Sequence, residues 1–307
     1  TASYDGVSFS VASQDGGPTG LAFNSSGTKM YMVGGLSDTV FQYTTALTTA
    51  ILDLSTGSVF EVTPTSDIQV TLSNPADSGI VSGATLLLDG GLLSSYDIAN
   101  ASYDSVSFSV SAQDTSPQEV FFKPDGTKMY VLGYTGVDVN EYDLSTAWDI
   151  STASYLQLFS VSAQETIPQG LFFKPSGTKM YVTGATSDRV HEYNLSTAWD
   201  VSTASLLQNF SVATEETDPQ GLFFKPDGTA MYVIGGTGDD VNEYALSTAW
   251  DVSTASYVQN FSISAQDGFP NGIFFKTDGT KMYVAGSTND SIYQYTTGSG
   301  RSSLVTP

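Results

Sequence analysis

Short segments in which apolar and polar residues alternate recur along the whole chain. Segments such as TKMYV, VNEYDL and YLQLFSV place successive side chains on opposite faces and are rich in β-branched and aromatic residues, as half-buried strands are. Strong helix formers never accumulate at the 3.6-residue spacing of an amphipathic helix. The pattern therefore predicts an all-β protein built from short strands.

The alternating segments belong to a repeat of 51 residues. The phrase QGLFFKPSGTKMYVTG begins at residue 169 and returns with few changes from residues 19, 118, 220 and 271. Each repeat contains four predicted strands, typified by QGLFFK, TKMYVLG, VNEYDL and YLQLFSV, with a Pro-Asp-Gly or Pro-Ser-Gly turn between the first two. Four strands in about 50 residues are typical of a β-propeller blade.

The number of blades has two interpretations. The chain length corresponds to six repeats, and Phe60 lies 150 residues before its equivalent Phe210, so we expect six blades with a degenerate second blade at about 58–110. The alternative is five blades with an inserted β module at 46–96. In both cases the N-terminal segment YDGVSFSV is expected to complete the last blade and close the ring. We expect one domain over 1–307, with a C-terminal tail at about 298–307.

The repeat also resembles a known group of propellers. The motif P-x-G-L-x-F-x-x-D-G-T-x-M-Y-V is similar to YVTN and NHL repeats, which are found in bacterial surface proteins and lactonase-like propellers. The connecting segment STAWDISTASY resembles repeats in structural proteins of marine bacteriophages. The resemblance implies the propeller fold and an extracellular or virion-surface location, and it implies no particular activity.

The composition narrows the classes of partner. The chain has 32 acidic and 10 basic side chains, giving a formal net charge of −22. Such a negative field argues against nucleic acid and anionic membrane surfaces, which are bound by basic patches. The absence of cysteine excludes disulfides and thiolate chemistry. No apolar run approaches the roughly 20 residues that a transmembrane helix needs.

Propeller topology sorts the charged residues onto two faces. The turn face carries the turns from strand one to two and the connectors from strand three to four, and the loop face carries the other loops. Eight of the ten basic residues flank the first turn. We expect these lysines on the turn face, paired with Asp149, Asp200 and Asp251 of the Trp-Asp connectors. The connector tryptophans are expected to pack between blades; they are Trp148, Trp199 and Trp250.

Five acids hold one repeated position on the loop face, just before the proline that opens each blade. They are Asp15, Asp114, Glu165, Glu216 and Asp267. Each can cap its own turn by accepting backbone N–H bonds, and the repetition in every blade favours this role. Together they can instead bind a hard cation such as calcium, aided by a second set before strand three. That second set is Asp38, Asp188, Asp239 and Asp290. We therefore expect no cofactor, with calcium as the alternative.

Amide side chains begin the innermost strands at the same face. Gln118, Gln169, Gln220 and Asn271 hold one position, and a ring of amides beside acids suits glycans or other hydroxyl-rich ligands. The next position is glycine in four of the repeats and Glu119 in one. This asymmetric carboxylate is the best single-residue candidate. The candidate ligand site therefore consists of Glu119, the four amides and the five repeated acids.

No catalytic constellation is recognisable in the sequence. His191 is the only histidine and is expected on a blade surface, so neither a triad nor an imidazole metal site can form. Lactonase-like relatives carry catalytic His and Arg residues, and Arg189 and Arg301 offer no equivalent. We therefore expect a non-enzymatic extracellular or virion-surface module that binds a glycan or protein at the loop face, or takes part in assembly. The alternatives are a carbohydrate- or lactone-processing enzyme that uses the loop-face acids, and a structural spacer.

Overall fold

The computed structural model describes residues 2–45, 48–53, 68–73, 96, 98–99 and 101–297. These residues form 22 strands and three 3₁₀ helices. The first eleven strands are β1 (Ser3–Ser10), β2 (Pro18–Phe23), β3 (Lys29–Gly34), β4 (Thr39–Thr44), β5 (Thr48–Asp53), β6 (Ile68–Ser73), β7 (Ser102–Ser109), β8 (Pro117–Phe122), β9 (Lys128–Gly133), β10 (Asp138–Leu144) and β11 (Ala153–Ser160). The others are β12 (Pro168–Phe173), β13 (Lys179–Gly184), β14 (Arg189–Leu195), β15 (Ala204–Ser211), β16 (Pro219–Phe224), β17 (Ala230–Gly235), β18 (Asp240–Leu246), β19 (Ala255–Ser262), β20 (Pro270–Phe275), β21 (Lys281–Gly286) and β22 (Ser291–Thr296). The 3₁₀ helices are Ile150–Thr152, Val201–Thr203 and Val252–Thr254.

Twenty of these strands form five antiparallel sheets of four strands each, so the predicted all-β propeller of four-stranded blades is confirmed. Blade 1 is β2, β3, β4 and β7; blade 2 is β8 to β11; blade 3 is β12 to β15; blade 4 is β16 to β19. Blade 5 is β20 to β22, and β1 adds its outermost strand. Ser8 of β1 is opposite Tyr293 of β22, which confirms that the N-terminal strand completes the last blade.

The blades form a ring of five in the part of the chain that the structure describes. Thr19 of β2 donates a hydrogen bond to the Pro117 carbonyl of β8 (3.0 Å), and Asn271 of β20 donates to the Pro18 carbonyl of β2 (2.9 Å). Blade 1 therefore lies directly between blades 5 and 2. The expectation of six blades was wrong, because β7, within the proposed degenerate blade at 58–110, pairs with β4 as the fourth strand of blade 1. The alternative of five blades describes the structure.

The segment between β4 and β7 contributes two described strands. β5 and β6 pair with each other in parallel and form a separate two-stranded sheet. The residues used to argue for a sixth blade at Phe60, together with the C-terminal tail at 298–307, lie outside the described residues.

Aromatic side chains hold neighbouring blades together. Tyr130 of blade 2 is fully buried, and its ring lies 4.5 Å from that of Phe173 in blade 3 (centroid to centroid). Its hydroxyl donates to the Trp199 carbonyl at 2.7 Å, and the Trp199 ring stacks on Phe173 at 5.7 Å. The same arrangement recurs around Trp148 and Trp250, so the connector tryptophans pack between blades as expected from the sequence.

The lysines lie on the turn face, but their partners differ from those expected. Lys128 pairs with Glu141 (2.5 Å) and Asp143 (2.7 Å), and Lys123 pairs with Asp125 across its own turn (2.7 Å). The connector acids instead cap the 3₁₀ helices, as when Asp149 accepts the Ser151 N–H at 3.0 Å. Each exposed lysine pair contributes only about 0–1 kcal/mol. Within the described ranges, no helix is long and apolar enough to cross a membrane.

Candidate functional site

The five repeated acids of the loop face each tie two loops of their own blade together. Asp114 accepts the Ser116 N–H with one carboxylate oxygen and the Gly136 N–H with the other, both at 2.6 Å. Ser116 precedes the first strand of the blade, and Gly136 lies between the second and third strands. The equivalent acids are at most 4% exposed and bond in the same way; they are Asp15, Glu165, Glu216 and Asp267. The capping interpretation therefore describes them.

The same contacts hold these acids away from solvent. The described residues contain no group of three or more His, Asp or Glu side chains arranged to hold a metal ion. For Glu165, burial opposes ionisation, but hydrogen bonds from the Ser187 hydroxyl and from backbone N–H groups hold its pKa below the usual value. The oxygens of these carboxylates accept hydrogen bonds from backbone N–H groups of the protein itself.

Three of the four amides at the start of the inner strands already donate hydrogen bonds within the protein. Gln118 donates to the Ser116 carbonyl (3.0 Å), Gln220 to Asp218 (2.8 Å) and Asn271 to the Pro18 carbonyl (2.9 Å). The buried Oε1 of Gln169 has no hydrogen-bond partner among the described residues. The amides remain a candidate for ligand contact, although three of them already bond to the protein.

Glu119 lies between the inner strands of blades 1 and 2. It is 4% exposed, and its Oε1 accepts the N–H of Leu21 in β2 at 3.1 Å and its own neighbour Val120 N–H at 2.9 Å. A Cβ on Gly20 would overlap this carboxylate, so the glycine of β2 leaves the room that Glu119 fills. Glu119 could be identified from the sequence because the other repeats carry glycine at this position.

Burial dominates the electrostatics of Glu119. It raises the pKa of this carboxyl group well above the ordinary value, and the two backbone N–H donors oppose the shift only in part. A carboxyl group with a raised pKa can accept or release a proton nearer to neutral pH than an exposed one, which is the property of a general base or acid.

Glu119 lines a cavity at the centre of the ring. The cavity has a volume of about 450 Å³, and the inner strands supply apolar side chains such as Leu21, Leu171 and Leu222. Phenylalanines at the end of each inner strand and the turn residues Pro124, Pro175 and Pro226 also line it, so it reaches the turn face. Glu119 is the only carboxylic acid of the described lining. The volume is within the range of small-molecule sites.

The sequence reasoning missed this cavity, because it assigned ligand binding to the opposite face. The repeated Phe-Phe pair that closes the inner strands was the available signal. The first residue of the pair lines the cavity in four blades, as Phe121, Phe172, Phe223 and Phe274.

The expectation of a surface histidine was wrong. His191 is 3% exposed; its Nε2 lies 2.9 Å from the Ser187 Oγ, which donates to Glu165 at 2.6 Å. Burial lowers the pKa of His191, so the imidazole is neutral at pH 7. The serine hydroxyl donates to Glu165, so its proton is directed away from the imidazole. Arg189 donates to Asn209 at 2.8 Å, and Arg301 lies outside the described residues.

Comparison with known proteins adds a family match. Residues 89–306 match the family model described as "Lactonase, 7-bladed beta-propeller". No curated protein matches the chain.

Several solved structures are similar to the chain. A protein from Bacteroides uniformis, proposed to be a 6-phosphogluconolactonase, is 12% identical (TM-score 0.47, 92% of this chain and 68% of that one). A protein from Bacteroides fragilis with the same proposed activity is 13% identical (TM-score 0.45, 88% and 64%). A luciferin-regenerating enzyme is 14% identical (TM-score 0.48, 96% of both chains). The chain thus spans 64–68% of the length of the two Bacteroides proteins.

Proposed function

This chain belongs to the lactonase family of β-propellers, whose model matches residues 89–306, and on that premise we propose that it is an enzyme that hydrolyses a lactone. The family is described as seven-bladed, whereas the described residues of this chain form five blades. The observation that carries the proposal is the buried carboxyl group of Glu119 in the central cavity.

The family match corrects two expectations drawn from the sequence. The chain is a lactonase-family propeller, so the assignment to YVTN and NHL repeats and to phage structural proteins was wrong. The expectation of a non-enzymatic binding or assembly module is contradicted by the same match. The lactone-processing alternative is the one that agrees with it, although the loop-face acids on which that alternative relied are buried backbone caps.

The reaction needs a group that activates water against the ester carbonyl of the lactone. In its ionised form Glu119 takes a proton from a water molecule as the water oxygen bonds to the carbonyl carbon. The tetrahedral intermediate then collapses, the ring C–O bond breaks, and the departing oxygen receives the proton from Glu119. The product is the open-chain hydroxy acid. The apolar lining keeps the carboxyl group poorly solvated, which raises its pKa and its basicity.

The lining also limits the class of substrate. Leucine, valine, isoleucine and phenylalanine side chains dominate the cavity, and the described lining contains no lysine or arginine. A phosphorylated or otherwise anionic lactone would enter without a counter-charge, which is costly in an apolar site. We therefore propose a neutral lactone with an alkyl or aryl substituent that the apolar side chains can bury.

A panel of lactones tests the proposal. Purified protein is incubated with alkyl-substituted lactones, aryl-substituted lactones and sugar lactones with and without phosphate, and acid release is followed by pH-stat titration. We expect turnover of the neutral apolar members. Glu119→Gln and Glu119→Gly, the latter carrying the residue found at the equivalent positions 170 and 221, should lower kcat/KM by about 10²–10⁴-fold.

The matched control is Asp143→Asn, an exposed acid on the turn face, which should leave kcat/KM unchanged. The proposal fails if no lactone of the panel is hydrolysed, or if both Glu119 variants retain the kcat/KM of the unaltered protein.

A further inference from the structure

Each blade has a slot on the turn face above the glycine of its first turn. In blades 2, 3 and 4 the connector tryptophan fills this slot so closely that a Cβ on the glycine would overlap the indole. Tyr96 fills it in blade 1. In blade 5 none of the described residues lies within 4 Å of a Cβ built on Gly279, although its φ of +70° matches the +71° of Gly177.

The walls of the blade 5 slot match those of an occupied one. Around Trp199, Phe121 lies 5.3 Å and Tyr130 4.5 Å from Phe173, centroid to centroid. In blade 5, the equivalent Phe223 and Tyr232 lie 5.3 Å and 4.5 Å from Phe275. These residues line a cavity of about 350 Å³. Tyr232 and Phe275 are only half-buried, whereas Tyr130 and Phe173 are fully buried beneath the indole.

In the slots filled by Trp199 and Trp250, polar groups also bind the peptide that carries the tryptophan. In blade 3, Tyr130 donates to the Trp199 carbonyl (2.7 Å). Two residues later, the Val201 N–H donates to Glu141 at 3.1 Å, and Gln157 donates to the side chain of Asp200 at 2.8 Å. A Trp-Asp-aliphatic segment is thus held by one tyrosine, one glutamate and one glutamine, in addition to its buried indole.

The same three polar residues are present at the blade 5 slot. They are Tyr232, Glu243 and Gln259, and all three line the cavity. Gln259 donates to Glu243 at 2.7 Å, as Gln157 donates to Glu141 at 2.9 Å in the slot filled by Trp199. Burial and the Glu243 carboxylate raise the pKa of Tyr232 to about 12. Lys225 also lines the slot, and its side chain is 50% exposed. Its equivalent Lys174 lies over the Trp250 ring at 6.0 Å.

We propose that this slot, between blades 4 and 5, binds a Trp-Asp-Val or Trp-Asp-Ile peptide segment of a partner polypeptide. The indole inserts over Gly279 between Phe223 and Phe275. The tyrosine hydroxyl donates to the tryptophan carbonyl, and Glu243 accepts the N–H of the aliphatic residue. The chain's own three such segments occupy their own blades, and one repeat after Trp250 the sequence carries Arg301 instead.

The test uses a peptide copied from the chain itself. Full-length protein is titrated with acetyl-STAWDVST-amide, the sequence of residues 247–254, by isothermal calorimetry. A peptide with alanine in place of the tryptophan is the ligand control. We expect saturable binding of the first peptide at a one-to-one ratio and no binding of the second.

A matched pair of variants assigns the binding to this slot. Tyr232→Phe removes one hydrogen bond to the peptide and should weaken binding about tenfold. Tyr181→Phe makes the same change in the slot that Trp250 already fills, so it should leave the affinity for the peptide unchanged.

Four results would overturn the proposal. These are the absence of binding heat, equal binding of the alanine peptide, an affinity insensitive to Tyr232→Phe, and binding only by a chain shortened after Thr297. The last result would mean that residues 298–307 occupy the slot themselves.

Discussion

Replacing Glu119 by glutamine should stabilise the protein by an amount that grows with pH. Burial raises the pKa of this carboxyl group in the folded protein above its ordinary value of 4.5. Between those two pKa values the folded protein binds more protons than the unfolded chain, so its free energy of unfolding falls as the pH rises. Glutamine cannot ionise, and the variant therefore lacks this contribution.

The size of the effect follows from proton linkage. Each pH unit between the unfolded and folded pKa values lowers the free energy of unfolding of the unaltered protein by about 1.4 kcal/mol relative to the variant. The glutamine Oε1 can accept the Leu21 and Val120 N–H groups as the carboxylate does. The difference between the two proteins should therefore be small at pH 4.5, widen with this slope and level off at the folded pKa.

Urea unfolding at pH 4.5, 5.5, 6.5 and 7.5 measures the difference directly. A difference that does not change with pH would refute the reasoning, because it would mean that Glu119 has the same pKa in both states. Glu165→Gln is the matched control, because its difference from the unaltered protein should stay constant over this pH range. The pKa of Glu165 is lowered in the folded protein. Its ionised carboxylate therefore stabilises the folded protein above pH 4.5, and this stabilisation is lost as the pH falls through the folded pKa.

Three further substitutions test the packing and capping described above. Trp199→Ala should lower the free energy of unfolding by about 3–5 kcal/mol, because it empties an inter-blade slot; a loss below about 1 kcal/mol in urea unfolding would contradict this. His191→Asn should reduce the loss of thermal stability between pH 7.5 and 5.5, because burial lowers the histidine pKa and the unfolded chain binds the extra proton below about pH 6.5; equal losses would count against it. Asp114→Ala should cost about 1–3 kcal/mol for each backbone N–H left without an acceptor. Asp143→Ala, on an exposed acid, should change urea unfolding by less than about 0.5 kcal/mol, and equal effects of these two substitutions would contradict the capping role of Asp114.

The sequence predicted the strands well and the number of blades badly, for a physical reason. Alternation and turn chemistry are local, and five near-identical copies of them reinforce one another, so strands such as β9 and β13 could be placed from their residues. The blade count depends on which strand pairs with β4. That partner is β7, Ser102–Ser109, on the far side of a long insertion, and no local pattern reports a pairing over that distance.

The candidate site was predicted in part. Glu119 was identified because it breaks a glycine repeat, and the structure places it in the central cavity. The loop-face acids were singled out for their recurrence, and that same recurrence indicates a structural role, which Asp114 shows by capping two loops. The cavity arises only when five phenylalanine-lined inner strands meet, so it is a property of the assembled ring and of no single repeat.

The pairing of β1 with β22 has a consequence for folding kinetics. The Thr296 N–H donates to Asp5 at 2.8 Å across a sequence separation of 291 residues, whereas most blades pair strands within one repeat. Non-local pairings form slowly because a long loop must close first. During synthesis, β1 therefore cannot pair with β22 until nearly all of the described chain has left the ribosome. We therefore expect the pairing of β1 with β22 to be the slow, final step of folding, after blades 2 to 4 have formed from strands that are close in sequence.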